Sequence, residues 1–211
     1  MPDKNKLVVV DTNCLVRMYF SALRPMLGAT FSGYILMTLQ ELADELKNLA
    51  SNDKHAWLSD QGIQAEVDGA VIKLTRQQEA TIKDETPKVR RYGNAELQRY
   101  KDKNNVARPL TLSLADARAL TAAIELGAAL ATDEWPLRLV AGYIQADDNG
   151  GYVELLSSVE LLHLLEKAGA ITKDERVKVY AHWRKSSEAL LGDSDARYKA
   201  LFGEAAPTAQ D

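Results

Sequence analysis

The run LVVV at residues 7–10 stops on an acid, Asp11, and apolar residues resume at Cys14, Leu15 and Val16. Four consecutive apolar residues, three of them β-branched and none alternating with polar ones, have the pattern of a strand covered on both faces, as in a parallel sheet. Parallel strands need long crossover connections, usually helical, so the rest of such a chain must alternate helix and strand. A carboxylate placed directly after a buried strand and followed by Thr12 and Asn13 also needs partners. An ordinary loop explains it less well than a functional role does.

The alternation is present. Residues 12–24 read as a helix, and YILM at 34–37 as a second strand. In the following TLQELADELKNLA, Leu39, Leu42, Ala43, Leu46 and Ala50 fall at helical spacing and form one apolar stripe. AVIKL at 70–74 is a candidate third strand. SLADARALTAAIELG, 113–127, reads as a helix stopped by Gly127, followed at once by the small-residue strand AALAT, 128–132. GYVELL, 151–156, is a further strand candidate. The expected fold is α/β with a mostly parallel central sheet.

Two stretches lie outside this rhythm. Residues 75–110 are polar, and within 86–108 seven Lys and Arg (Lys88, Arg90, Arg91, Arg99, Lys101, Lys103, Arg108) face only Glu96 and Asp102. With the whole chain at −4, the remainder is strongly acidic. Residues 157–202 read as two helices, each opened by a Ser/Thr-x-x-Glu capping signal, Ser157 with Glu160 and Thr172 with Glu175. The expected organisation is therefore one α/β domain over 1–156 with a basic, polar insertion at 75–110. A C-terminal helical extension over 157–203 and a disordered tail over 204–211 complete it.

No apolar run approaches the ~20 residues of a membrane span, and MPDKNK leads straight into a strand, so neither a membrane segment nor a leader is expected. The single cysteine, Cys14, has no internal partner, which points to a reducing, cytoplasmic setting. The three histidines show no ligand spacing.

In open parallel sheets, functional groups gather beyond the carboxyl ends of the strands. Asp11 and Asp133 each follow a strand directly, Glu41 lies early in the helix after the second strand, and Asp116 opens the helix before the strand 128–132. Four acids spread over more than a hundred residues are thus expected to converge on one cleft. Two unit charges ~4 Å apart repel by roughly 4 kcal/mol at an effective dielectric near 20. Either some of them bind protons or a divalent cation holds them together. A set of hard oxygen ligands favours Mg²⁺ or Mn²⁺, ions suited to phosphodiester hydrolysis. Glu41 and Glu45 share one face of their helix, away from the apolar stripe. Glu41 is nearer the sheet edge and is preferred, with Glu45 in reserve. Each acid also has a plain structural explanation. Asp116 suits a capping box with Ser113, Glu41 a solvated surface, and Asp133 the turn before Pro136.

Taken together, VVVDTNCLV, MTLQELADEL and SLADARALTAAIELGAALATDEWPLRLVA resemble the three acidic blocks of the PIN-domain ribonucleases, a family that includes VapC-type toxins. The resemblance spans about 7–46 and 112–141, with the strand near 152–156. It implies a three-layer α/β/α sandwich, Mg²⁺ or Mn²⁺ dependence, and hydrolysis of single-stranded RNA leaving a 5′-phosphate. Carried onto this chain, Asp11, Glu41 and Asp116 would hold metal. The fourth acid would be Asp133 or Glu134, since TDE offers both, with Asp133 preferred. Thr12 and Thr132 would place hydroxyls near the metal water or the phosphate, and Asn13 and Glu45 complete the supporting set. The chain is longer than a typical toxin of this type, so the nuclease assignment is firmer than the toxin one.

The extra segments suggest partners. Arg90, Arg91, Tyr92, Arg99 and Lys101 have the composition of an arm for single-stranded or structured RNA, and otherwise of a solvated helix. Apolar residues of 157–202 pack on the sheet or else serve a homodimer or antitoxin interface. Two other functions compete: a catalytically silent PIN-like module that binds RNA or protein, and a phosphohydrolase of another α/β class. Asn13 stands where an aspartyl-phosphate enzyme of the haloacid-dehalogenase kind wants a second Asp, and no phosphate-cradling glycine motif occurs.

Overall fold

The computed structural model describes residues 6–208 except Ala22, Ser32, 148–152 and 186–189. Lys6–Val10 forms β1, followed at once by helix α1, Thr12–Tyr19, shorter than the helix expected to 24. A two-residue strand β2 (Thr30–Phe31) turns back antiparallel onto β3 (Tyr34–Met37), which leads into α2 (Gln40–Leu49). Helices α3 (Gln61–Gly69), α4 (Arg76–Asn104) and α5 (Leu114–Leu126) follow, then β4 (Ala129–Ala131) and α6 (Trp135–Asp147). Strand β5 (Leu155–Leu156) precedes α7 (Ser158–Lys167), α8 (Lys173–Lys185) and α9 (Ser194–Phe202).

The sheet has the order β2-β3-β1-β4-β5, and every pairing except β2 with β3 is parallel. β1 is central, with Val9 beside Met37 on one side and Val10 beside Ala131 on the other. Val8 and Val10 point into one apolar layer with α1 and the C-terminal helices, while Val9 points into a second layer with α4, α5 and α6. That double burial is why LVVV shows no alternation. The chain runs from β1 to β3 on one side and later to β4 on the other, so strand order reverses at the carboxyl end of β1. This is the place where open α/β sheets put their ligands.

The fold corrects three expectations. AVIKL at 70–74 forms no strand; Val71 makes only one parallel bridge to Thr38, at the sheet edge. Of GYVELL, only Leu155–Leu156 pairs with β4, and residues 151–152 lie outside the described residues. The region 157–202 holds three helices rather than two, because the chain turns again before Ser194. The basic stretch takes up the helical alternative and runs through the C-terminal part of α4, a helix opened by a Thr75–Gln78 capping box and closed by Asn105 in the left-handed conformation. Its Ile82, Thr86, Gly93 and Leu97 recur every four or so residues and are buried against α5 and α6. Gly93 permits that approach, since a Cβ there would stand 2.9 Å from a Val140 methyl.

Both capping signals of the C-terminal region form: Ser157 with Glu160, and Thr172 with Glu175. Trp183, Tyr180 and Tyr198 are fully buried in the same apolar layer as Val8 and Val10. These helices therefore share a core with the sheet. The tail is held as far as Thr208: Glu204 pairs with Lys173 and Arg176, and Pro207 is buried. Residues 209–211 lie outside the described residues. Among the described residues no helix is long and apolar enough to cross a membrane.

Candidate functional site

The triplet Asp11–Thr12–Asn13 sits at the junction of β1 and α1; Asp11 supplies one carboxylate, and Thr12 and Asn13 each bind another. Asp11, the N-cap of α1, is itself buried. One of its oxygens accepts from the Thr12 amide and the other from the Thr132 hydroxyl, both at 2.8 Å. The Thr12 hydroxyl donates to Glu45 Oε2 at 2.5 Å. The Asn13 side-chain amide donates to Glu134 Oε1. Glu134 is fixed a second way, since its backbone amide donates to the Thr132 hydroxyl at 3.0 Å. Four segments are thereby joined: the start of α1, the second turn of α2, the end of β4 and the entry to α6.

Asp116 completes the group through its charge. It caps its own helix as its spacing suggested, exchanging bonds with Ser113 of 3.0 and 3.1 Å. Burial, and then the neighbouring Asp116, push the Asp11 carboxyl up to about 7, with Glu134 adding to the rise against the two neutral donors. Burial and Asp116 also raise Glu134, and Glu45 contributes in the same direction, while Asn13 and Arg17 oppose. Asp11, Glu45, Asp116 and Glu134 thus form one electrostatically connected set. One oxygen each of Glu45, Asp116 and Glu134 accepts no hydrogen bond among the described residues. As they stand, no three His, Cys, Asp or Glu side chains among the described residues are arranged to hold a metal ion.

Two preferred residues of the sequence reading stand elsewhere. Glu41 pairs with Arg118 at 2.7 Å, and Arg118 also grips Glu79 of α4 at 2.8 Å. It faces the α2–α4–α5 side rather than the triplet. Asp133 is buried with Arg17, one of whose nitrogens donates to it, and accepts the Ser158 amide at 3.0 Å. The same Arg17 nitrogen reaches the Ser158 hydroxyl at 3.2 Å, which also lies 3.3 Å from the Cys14 sulfur. Burial, with Asp133 nearby, pushes that thiol up, away from reactivity. The acids that converge are the two reserves, Glu45 and Glu134, with Asp11 and Asp116.

Glu134 and Asn13 open onto a cleft of about 610 Å³. Arg17 and Asp133 line it too, and its other walls come from the 108–111 segment, from Trp135 and Pro136, and from 190–192 of the C-terminal extension. Of the seven cations counted between 86 and 108, only Arg108 lines it. Arg90 donates to the Leu112 carbonyl at 3.2 Å, Arg99 pairs with Glu96, and Lys88 bridges Asp84 and Glu85. Arg91 is exposed, Lys101 half-buried, and Tyr92 lines a separate groove of about 430 Å³ between α4, α5 and α6. The sequence reading missed Arg17 and Trp135. Arg17 carries no local signal, whereas Trp135, next to the TDE acids, was in view. His163 and His182 pack on Phe202 and Phe20.

No protein-family model matches this chain, and comparison with curated proteins and with solved structures returned no match.

Proposed function

We propose that the protein is a divalent-metal-dependent ribonuclease of PIN-like architecture, acting on single-stranded RNA in a reducing compartment. One observation carries this reading: at the strand-order reversal the carboxylate of Asp11 is followed by Thr12 and Asn13, which hold the carboxylates of Glu45 and Glu134 from two other segments, with Asp116 in electrostatic contact. Gathering carboxylates beside a single Arg17 that is already paired with Asp133 is costly, and nothing in the core requires it.

The donor set suits a hard cation. It consists of carboxylate and hydroxyl oxygens, and the open oxygens of Glu45, Asp116 and Glu134 add to the spare acceptor capacity of Asp11. Asp11, Glu45, Asp116 and Glu134 would hold Mg²⁺ or Mn²⁺, in place of a set containing Glu41 and Asp133. When bound, such an ion supplies an activated water and neutralises charge building on the phosphate. The chain's own contribution is positional. The Thr12 amide and Thr132 hydroxyl fix the plane of the Asp11 carboxylate, and Thr12 and Asn13 fix one oxygen each of Glu45 and Glu134. Such outer partners orient ligands and keep them deprotonated.

A second reading is a module that binds RNA without cutting it. Incubation of short single-stranded RNA with the protein and Mn²⁺, then with EDTA, separates the two. Wild type should cleave only with metal, leaving 5′-phosphates, and Asp11→Asn should not cleave. Cleavage that survives EDTA or persists in the variant removes the metal-nuclease reading. RNA left intact under every condition supports the binding module. The toxin setting is tested separately, by growth arrest on expression of wild type but not of Asp11→Asn.

A further inference from the structure

Beside the acids, the cleft carries a feature that hydrolysis alone does not use. Trp135 directly follows Glu134 and is only half-buried. Tyr100 braces its ring from α4, at 5.2 Å between centroids and 68° between planes. The Arg108 guanidinium lies over the ring at 6.0 Å from its centroid, well beyond the contact separation of about 3.5–4 Å. The indole face is thus not sealed. Arg108 is exposed and has no carboxylate partner among the described residues, unlike Arg17 in the same cleft, which is committed to Asp133. A braced aromatic face under an uncommitted planar cation, at the edge of an acidic cluster, is the combination that captures an unpaired base.

We propose that Trp135 and Arg108 form a base-binding subsite for single-stranded RNA, with one unpaired base stacked between the indole and the guanidinium. This rests on the nuclease reading for the identity of the polymer; the aromatic–cation geometry does not depend on it. Rings stack at about 3.4 Å, so a sandwiched base needs about 7 Å between indole and guanidinium. An exposed arginine has to move outward by about 1 Å. A base in a duplex cannot enter, because it stays paired and stacked with its neighbours. Since Trp135 adjoins Glu134, the captured base belongs to a nucleotide close to the bond being cut. The subsite therefore selects where along a strand the acids act.

The test measures binding of a labelled seven-nucleotide RNA in EDTA, where metal-dependent cleavage is silent. It compares wild type, Trp135→Leu and Arg108→Ala, and repeats each titration with an abasic nucleotide at every position in turn. Wild type should show one position at which base removal weakens binding about tenfold or more, the size of a lost stacking contact. Trp135→Leu should bind the intact strand that much more weakly and lose sensitivity to the abasic position; Arg108→Ala should weaken both. Leucine keeps apolar mass against the second core layer, and Arg108 is exposed, so both variants should melt near wild type. If Trp135→Leu melts early, the abasic scan on wild type and Arg108→Ala decides. A flat scan, or a sensitive position equally strong in Trp135→Leu, overturns the proposal. Cleavage of the same strand with Mn²⁺ is followed in parallel. Base-dependent binding without cleavage would fell the nuclease reading and leave the subsite standing, and cleavage with a flat scan would do the reverse.

Discussion

Asp11 and Asp133 occupy equivalent positions, each near the carboxyl end of a central parallel strand and each almost completely buried, at 2% and 9% exposure. Their surroundings differ in one respect. Asp133 is met by a guanidinium and a backbone amide, so its charge is neutralised inside the protein. Asp11 is met by a hydroxyl, an amide and two further acids, Asp116 and Glu134. An internal cation makes a buried acid part of the scaffold, whereas neutral donors leave it available to a cation from outside. The same contrast recurs on α2, where Glu41 is paired with Arg118 and, among the described residues, Glu45 is held only by the Thr12 hydroxyl.

The sharpest way to break this comparison is to remove the internal cation. Arg17→Met leaves Asp133 buried with its charge uncompensated, and should cost about 3–5 kcal/mol in denaturant unfolding, with the double variant Arg17→Met/Asp133→Leu recovering much of it. A loss below about 1 kcal/mol would mean that Asp133 is no more anchored than Asp11. The next effect has the opposite character. The Asp11 carboxyl binds its proton more tightly in the folded protein, with a value near 7 against 3.8, so folding takes up a proton between these limits. The stability it contributes is complete below pH 4 and is lost as pH rises through 7. Metal-free wild type should therefore lose up to about 4 kcal/mol from this group between pH 4 and pH 8. Asp11→Asn should lack that component and be the more stable protein at pH 8. A variant with the same pH profile as wild type would contradict the raised proton affinity that burial, and then Asp116, give Asp11.

A divalent cation should reverse that cost in wild type alone. At a hundred times its dissociation constant, an ion that binds only the folded state adds about 2.7 kcal/mol. Melting at pH 8 with Mn²⁺ should accordingly rise in wild type and stay unchanged in Asp11→Asn. Equal rises would place the ion elsewhere.

Much of this contrast was legible in the sequence, and part of it was not. The buried strand, the helix stripe of Leu39, Leu42 and Leu46, and the capping boxes at Ser113, Ser157 and Thr172 are local patterns, and they appear where the spacing put them. That acids would gather beyond β1 follows from sheet topology, which is also encoded in local order. Which acids gather depends on partners far away in the chain. Arg17 and Asp133 are 116 residues apart, and Arg118 and Glu41 meet only because α5 packs on α2. No spacing rule reveals a neutralising cation at that distance, so Asp133 and Glu41 looked as good as their neighbours. The net charge of the basic stretch was overstated for a related reason. Its positive count ignored the acids of the preceding helical turns, Asp84 and Glu85, which pair with Lys88 once the segment is a helix.

The smallest effect is the most discriminating for the site. Glu41 is 41% exposed in its pair with Arg118, and pairs of that kind contribute only about 0–1 kcal/mol. Glu41→Gln should therefore change stability slightly and leave metal-dependent RNA cleavage intact. Glu45→Gln lies four residues further along the same helix, where the Thr12 hydroxyl holds it beside Asp11, and its loss should abolish cleavage at a similarly small cost in stability. The two substitutions are chemically identical and one helical turn apart, so propensity, surface charge and expression cancel between them. What remains is whether an internal arginine or the strand-end triplet owns the carboxylate. Loss of cleavage in Glu41→Gln with retention in Glu45→Gln would assign the roles the other way round, and would require Arg118 to release its partner during turnover.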